Sequence, residues 1–191
     1  MMRGLVVIAG LTVAAFALPA QAQWYGGVGF GQSTFKGDLS CQGTGGTGVS
    51  CDDKDTALKL FGGYQVNPNF AAELTYQDFG KVKISGGGFN AEIKSHAFDL
   101  SALGMLPFAN QFAGYGRLGV YSAKSEGTSN IPGLANVSET NSGLTFGLGL
   151  QWNPAPNFGL RVEYQVYRDV GGGDLGKGDI DALGLSALYR F

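Results

Sequence analysis

One histidine, two cysteines and a scatter of carboxylates and guanidinium groups are all the reactive chemistry that these 191 residues offer. A hydrolytic or acyl-transfer site needs a nucleophile, a base and a group that orients the base. His96 stands beside Ser95, with Asp99 three positions further on. On an extended chain a separation of three sends two side chains to opposite faces, so no catalytic residues are expected from this group. Cys41 and Cys51 share one segment rich in Gly, Ser and Thr. Two thiols with a single distant histidine do not make a metal set, and no metal or cofactor is expected. In an exported chain a local disulfide is the expected state, adding about 2 to 3 kcal/mol by restricting the unfolded chain. Gly86-Gly87-Gly88 and Gly171-Gly172-Gly173 read as loop, since no strand-to-helix junction follows them. There remain Lys59, Glu73, Gln77, Asp99, Arg117, Gln151, Arg161, Glu163 and Arg190, all on rows that alternate with apolar ones. What those groups do depends on the elements that hold them.

The start of the chain fixes the compartment. Arg3, the apolar run from Leu5 to Leu18 and Ala20-Gln21-Ala22 ahead of Gln23 read as a secretory signal peptide over residues 1–22, leaving 23–191 as one domain. The run is short of the roughly 20 apolar residues that a spanning helix takes, and no later segment supplies them. With 33 Gly, 13 Phe, 8 Tyr and only 15% charged residues, the domain is aromatic and turn-rich rather than helical. The formal net charge of -2 offers no basis for nucleic-acid binding.

Period-two alternation then organises the rest. Trp24, Gly26, Val28 and Phe30 form one row against Tyr25, Gly27, Gly29 and Gly31, which is strand spacing. Leu58 to Val66, Phe70 to Tyr76, Phe98 to Leu106, Phe112 to Val120, Leu144 to Trp152, Phe158 to Val166 and Leu183 to Phe191 repeat it, giving eight strands. Tight links at 67–69, 107–111 and 153–157 carry Asn and Pro, whereas 36–55, 80–92, 124–141 and 169–179 read as long polar loops. Short turns on one side and long loops on the other describe an up-and-down transmembrane β-barrel with both termini on the short-turn side. Only a closed sheet can cross hydrocarbon, because every unpaired backbone group there costs several kcal/mol. Trp24, Tyr64, Tyr76, Trp152, Tyr164, Tyr189 and Phe191 sit near row ends, as interfacial girdles do. Periodicity alone leaves a soluble β-sandwich or a lipocalin-like barrel open.

The strings FGGYQVNPNFAAELTYQDFG from Phe61, AGYGRLGV from Ala113, GLRVEYQV from Gly159 and the final ALYRF are similar to the transmembrane domain of the outer membrane protein A (OmpA) family. The resemblance covers nearly all of the mature chain and implies an all-β, eight-stranded antiparallel barrel integral to a bacterial outer membrane. It also implies a charged network inside the barrel at Glu73, Arg117, Arg161 and Glu163, including a carboxylate to guanidinium pair that blocks the lumen. A lysine of that family's network falls at Leu103 here, and a further carboxylate falls at Gln151. The final aromatic, Phe191, resembles the signal read by the outer membrane assembly machinery. With Phe191 the last residue, the family's peptidoglycan-binding domain is not expected, and tethering to the cell wall is not carried over. The expected partners are therefore outer membrane lipids and the assembly machinery, with a surface receptor or phage at the loops, and the barrel is expected to be a monomer. The expected role is structural, in envelope integrity or loop display. A low-conductance or gated pore is the alternative, and a lipid-modifying enzyme a weaker one.

Overall fold

The computed structural model describes residues 23–37, 49–86, 89–129, 137–172 and 176–191. The expected signal peptide and Cys41 lie outside these residues, as does the side chain of Cys51, and with them the expected disulfide. Nine strand segments follow one another: β1 (Gln23–Phe35), β2 (Val49–Asp52), β3 (Lys54–Asn67), β4 (Phe70–Gly86), β5 (Phe89–Ala109), β6 (Phe112–Ser129), β7 (Val137–Ala155), β8 (Phe158–Gly171) and β9 (Lys177–Arg190). Segment β2 precedes β3 by a single residue, Asp53, and pairs with the upper part of β4, so the two serve as one stave. The sheet runs β4-β3-β1-β9-β8-β7-β6-β5 and returns to β4. That is a closed, antiparallel, eight-stranded barrel.

Alternation decides which side chains meet which solvent. Leu106, Leu118 and Leu148 are 73%, 63% and 71% exposed on the outer wall, beside Val28, Leu74, Leu100 and Leu160. A continuous apolar band of this kind is not tolerated in water and matches hydrocarbon. The intervening residues are buried inside. An eight-stranded barrel has an interior just wide enough for side chains, so they fill it.

The three tight turns reduce to Pro68-Asn69, Asn110-Gln111 and Pro156-Asn157. At the first, the Asn67 carboxamide oxygen accepts from the backbone N–H of Asn69 (2.8 Å) and Phe70 (2.9 Å), an Asx turn. On the other side the structure departs from expectation. Segments 80–92 and 124–141, read as loops, are mostly ladder, with Lys83 opposite Glu92 and Glu126 opposite Ser138. Beyond the lipid a strand meets water on its outer face, so it no longer needs an apolar row and its composition resembles a loop's.

The interior is layered. Nearest the short turns is an apolar cluster of Tyr25, Phe61, Ala71, Leu103, Met105, Ala113, Tyr115 and Leu188. Charged and amide side chains fill the middle. Above them a second cluster packs Phe35, Phe79, Val82, Tyr121, Tyr167, Val170 and Ile180.

Candidate functional site

The middle layer is built by parity. Glu73 on β4, Arg117 on β6 and Arg161 and Glu163 on β8 all fall on inward positions, and the curvature of so small a barrel brings them across the lumen into contact. Arg117 forms an ion pair with Glu73. Arg161 Nη1 donates to the other carboxylate oxygen of Glu73 at 2.6 Å. One carboxylate thus takes two guanidinium groups. Tyr25 adds a hydroxyl donor to the same oxygen at 3.0 Å. Charge-assisted bonds of this density offset the cost of holding a carboxylate away from water.

Arg117 is the hub. Besides Glu73 it donates from Nη1 to Gln165 Oε1 at 2.8 Å. It also lies 3.7 Å from Asp99 and 3.6 Å from Glu163. Its Nε, facing Glu163, has no hydrogen-bond partner among the described residues. Asp99 is held instead by Ser101 (2.7 Å) and Tyr167 (2.8 Å). Glu163 accepts from Tyr115 at 2.7 Å and pairs with Lys59 of β3. The Arg161 guanidinium sits 5.1 to 5.2 Å from the rings of Tyr25, Phe61 and Tyr115, a cation held by three aromatic faces as well as by its carboxylate.

Glycine makes room for the two tyrosines. A Cβ at Gly63 would come within 2.3 Å of the Tyr25 ring, and one at Gly149 within 2.4 Å of the Tyr115 ring. Each ring lies flat over a bare backbone so that its hydroxyl can reach a carboxylate.

Lys59 is the network member that the sequence did not single out as a partner. Leu103 is buried in the lower apolar cluster, and the lysine that meets Glu163 comes from β3 instead. Its signal was its parity, shared with Phe61 and Gly63, but a cross-lumen partner depends on strand stagger and not on spacing. Gln151 accepts from Arg161 Nε at 2.7 Å and donates to Asn153 Oδ1 at 2.9 Å.

His96 and Asp99 part company as their spacing requires. The His96 ring lies 6.0 Å from that of Tyr76, and Asp99 points inward to Tyr167. The aromatic residues on the outer wall form two groups. Near the short turns Trp24 packs on Tyr64 (4.9 Å), Tyr189 on Phe191 (5.4 Å) and Trp152 on Phe112 (6.2 Å). Near the long connections Tyr76 meets Phe98 at 4.9 Å, and the Tyr164 hydroxyl donates to Asp181, which also pairs with Lys36 at 2.5 Å.

Comparison with known proteins adds a lineage to this geometry. The sequence model of the OmpA-like transmembrane domain matches residues 19–191. Outer membrane protein A of Klebsiella pneumoniae is 32% identical over 184 residues, 92% of this chain and 53% of that protein. Outer membrane protein P5 of Haemophilus influenzae is 31% identical over 186 residues, 87% of this chain and 51% of that protein. The chain therefore spans about half the length of the curated relatives it matches. Among solved structures, Neisserial surface protein A superposes with a TM-score of 0.61 at 14% identity, covering 89% of this chain and 99% of that one.

Proposed function

The chain belongs to the OmpA-like transmembrane domain family, and on that premise we propose that it is a structural barrel whose sealed lumen stiffens the envelope while its outer strands carry surface loops. It is an integral protein of a bacterial outer membrane. The observation that carries the structural reading is the closure of the interior above the ion network. Phe79, Tyr167, Val170 and Ile180 are wholly buried there and form an apolar layer between the network and the long-connection end. A hydrophobic constriction of this kind blocks ions by dewetting.

Planar-bilayer recording of the purified mature barrel tests this. Wild type and Arg161→Ala should both stay at the bilayer leak, and a strain lacking the protein should become more sensitive to detergents. Regular unitary openings in the wild type would overturn the structural reading. The runner-up, gated low-conductance passage, draws on Arg117, which lies within reach of three carboxylates and has a donor to spare. It calls for discrete openings that become more frequent in Arg161→Ala.

The same reading extends to partners. The barrel is proposed to act as a monomer in outer membrane lipid, delivered by the assembly machinery, with the 77% exposed Phe191 as a recognition residue. Deleting Phe191 should lower the yield of heat-modifiable barrel in membranes. Outward-facing Lys81, Lys83, Lys94 and Lys124 on the strand extensions would meet any receptor or phage that docks at the loops.

A further inference from the structure

Arg190 is the exception among the interior cations. Lys59, Arg117 and Arg161 each meet a carboxylate, yet among the described residues none comes within ion-pair distance of Arg190, although its residue is only 9% exposed. Its side-chain bonds go to neutral oxygens: Nη2 donates to Asn153 Oδ1 at 2.8 Å, and Nη1 reaches Pro156 O at a long 3.4 Å. A guanidinium has five donors, so most of its capacity is unspent. The buried carboxylates are engaged elsewhere: Glu73 and Glu163 take Arg117, Arg161 and Lys59, Asp99 is held by Ser101 and Tyr167, and Asp181 pairs with Lys36.

Arg190 borders a basin at the short-turn mouth of about 600 Å³. Gln23, Gln65, Asn110, Gln111 and Asn153 line it beside Arg190, and none of its lining residues is acidic. Amide walls offer donors and acceptors without a competing carboxylate. A single partly buried guanidinium in such walls is the chemistry that captures an oxyanion, because two parallel N–H groups match two carboxylate or phosphate oxygens.

The basin also communicates with the plug. Arg190 and Gln151 both donate to Asn153 Oδ1, at 2.8 and 2.9 Å. Gln151 Oε1 accepts from Arg161 Nε at 2.7 Å, and Arg161 Nη1 donates to Glu73 at 2.6 Å. The Gln151 amide accepts on one side and donates on the other, which an ionised carboxylate at this position would not do.

We propose that the short-turn mouth is an oxyanion site, in which Arg190 binds the carboxylate or phosphate group of a small solute and the Asn153–Gln151–Arg161 chain registers its arrival at Glu73. The test uses the folded mature barrel in phospholipid nanodiscs, with nitrogen-15 labelled arginine, asparagine and glutamine side chains followed by NMR. Acetate, inorganic phosphate and chloride are titrated at matched ionic strength. Saturable shifts at Arg190 Nε–H, Asn153 and Gln151 with acetate or phosphate, absent with chloride, are expected, and the anion that saturates first assigns the source. Arg190→Gln should weaken that binding by about ten- to a hundredfold, the worth of a charge-assisted hydrogen bond. Arg190→Lys should retain part of it. Wild-type shifts that follow ionic strength linearly and equally for all three anions would overturn the site without reference to any variant. Saturable shifts of undiminished affinity in a folded Arg190→Gln barrel would overturn the assignment to Arg190.

Discussion

The two ends of this lumen are built on opposite principles. At the short turns the interior opens into an amide-lined basin with a guanidinium at its edge that no carboxylate among the described residues pairs. At the long connections it ends in packed rings, Phe79 on Tyr167 at 4.8 Å and Tyr121 on Tyr167 at 5.4 Å. Between them lies an ion network flanked by the lower apolar cluster on the short-turn side and by the aromatic cluster on the other. The contrast teaches that charge alone does not close the barrel. The ion pairs fill the middle, and a separate aromatic layer packs above them.

Substitutions that attack each layer sharpen this contrast. Glu73→Ala should be the most damaging, since it leaves Arg117 and Arg161 without their shared carboxylate in a confined space, at a cost of about 3 to 5 kcal/mol. Denaturant unfolding of the folded barrel in detergent measures it, and a loss below about 1 kcal/mol would mean that water already reaches the network. Phe79→Ala attacks the other end. Cavity formation should cost about 3 to 4 kcal/mol in the same assay. Conductance should stay at baseline unless Glu73→Ala is added, and channel activity in the single variant would show the aromatic layer to be the sole seal. Gly63→Ala is smaller, about 1 to 3 kcal/mol, because its methyl group displaces the Tyr25 ring and with it the hydroxyl bond to Glu73. Gly104→Ala, where an added Cβ meets nothing within 4 Å, is the control. The smallest effect lies outside the lipid. A hydrogen bond from Lys81 holds the Glu92 carboxyl below its usual range, so this pair stabilises the strand extension above pH 4.5 and is lost as pH falls through the lowered value. Amide protection near Lys81 and Glu92, taken relative to the intrinsic exchange rate at each pH, should fall below that pH and stay unchanged in the lumen strands.

Much of this was written in the alternation. Trp24, Leu74, Leu100 and Leu148 declared an apolar face, and Asn67-Pro68-Asn69 declared a tight turn, because hydrocarbon and turn geometry each impose a local rule. The strand extensions were hidden, since Lys83 and Glu92 in a water-facing ladder look like loop. The layered interior was hidden for another reason. Phe79 and Tyr167 share inward positions with Glu73 and Arg117, and no local rule says which inward residues gather at which height. Lys59 was visible as an inward lysine, but its choice of Glu163 depends on the stagger of β3 against β8 across the lumen. Arg190 was visible too, yet that no carboxylate among the described residues reaches it is a statement about every other strand.

One seam of the barrel has a consequence for how it is made. Strand β1 pairs with β9, from Tyr25 opposite Arg190 to Phe35 opposite Ile180. The earliest strand to leave the ribosome must therefore wait for the latest before its outer row of amides and carbonyls is satisfied. Until that zipper closes, the nascent chain presents two sticky margins to every neighbour. The β1 margin can therefore be satisfied only once β9 has been made and brought to it.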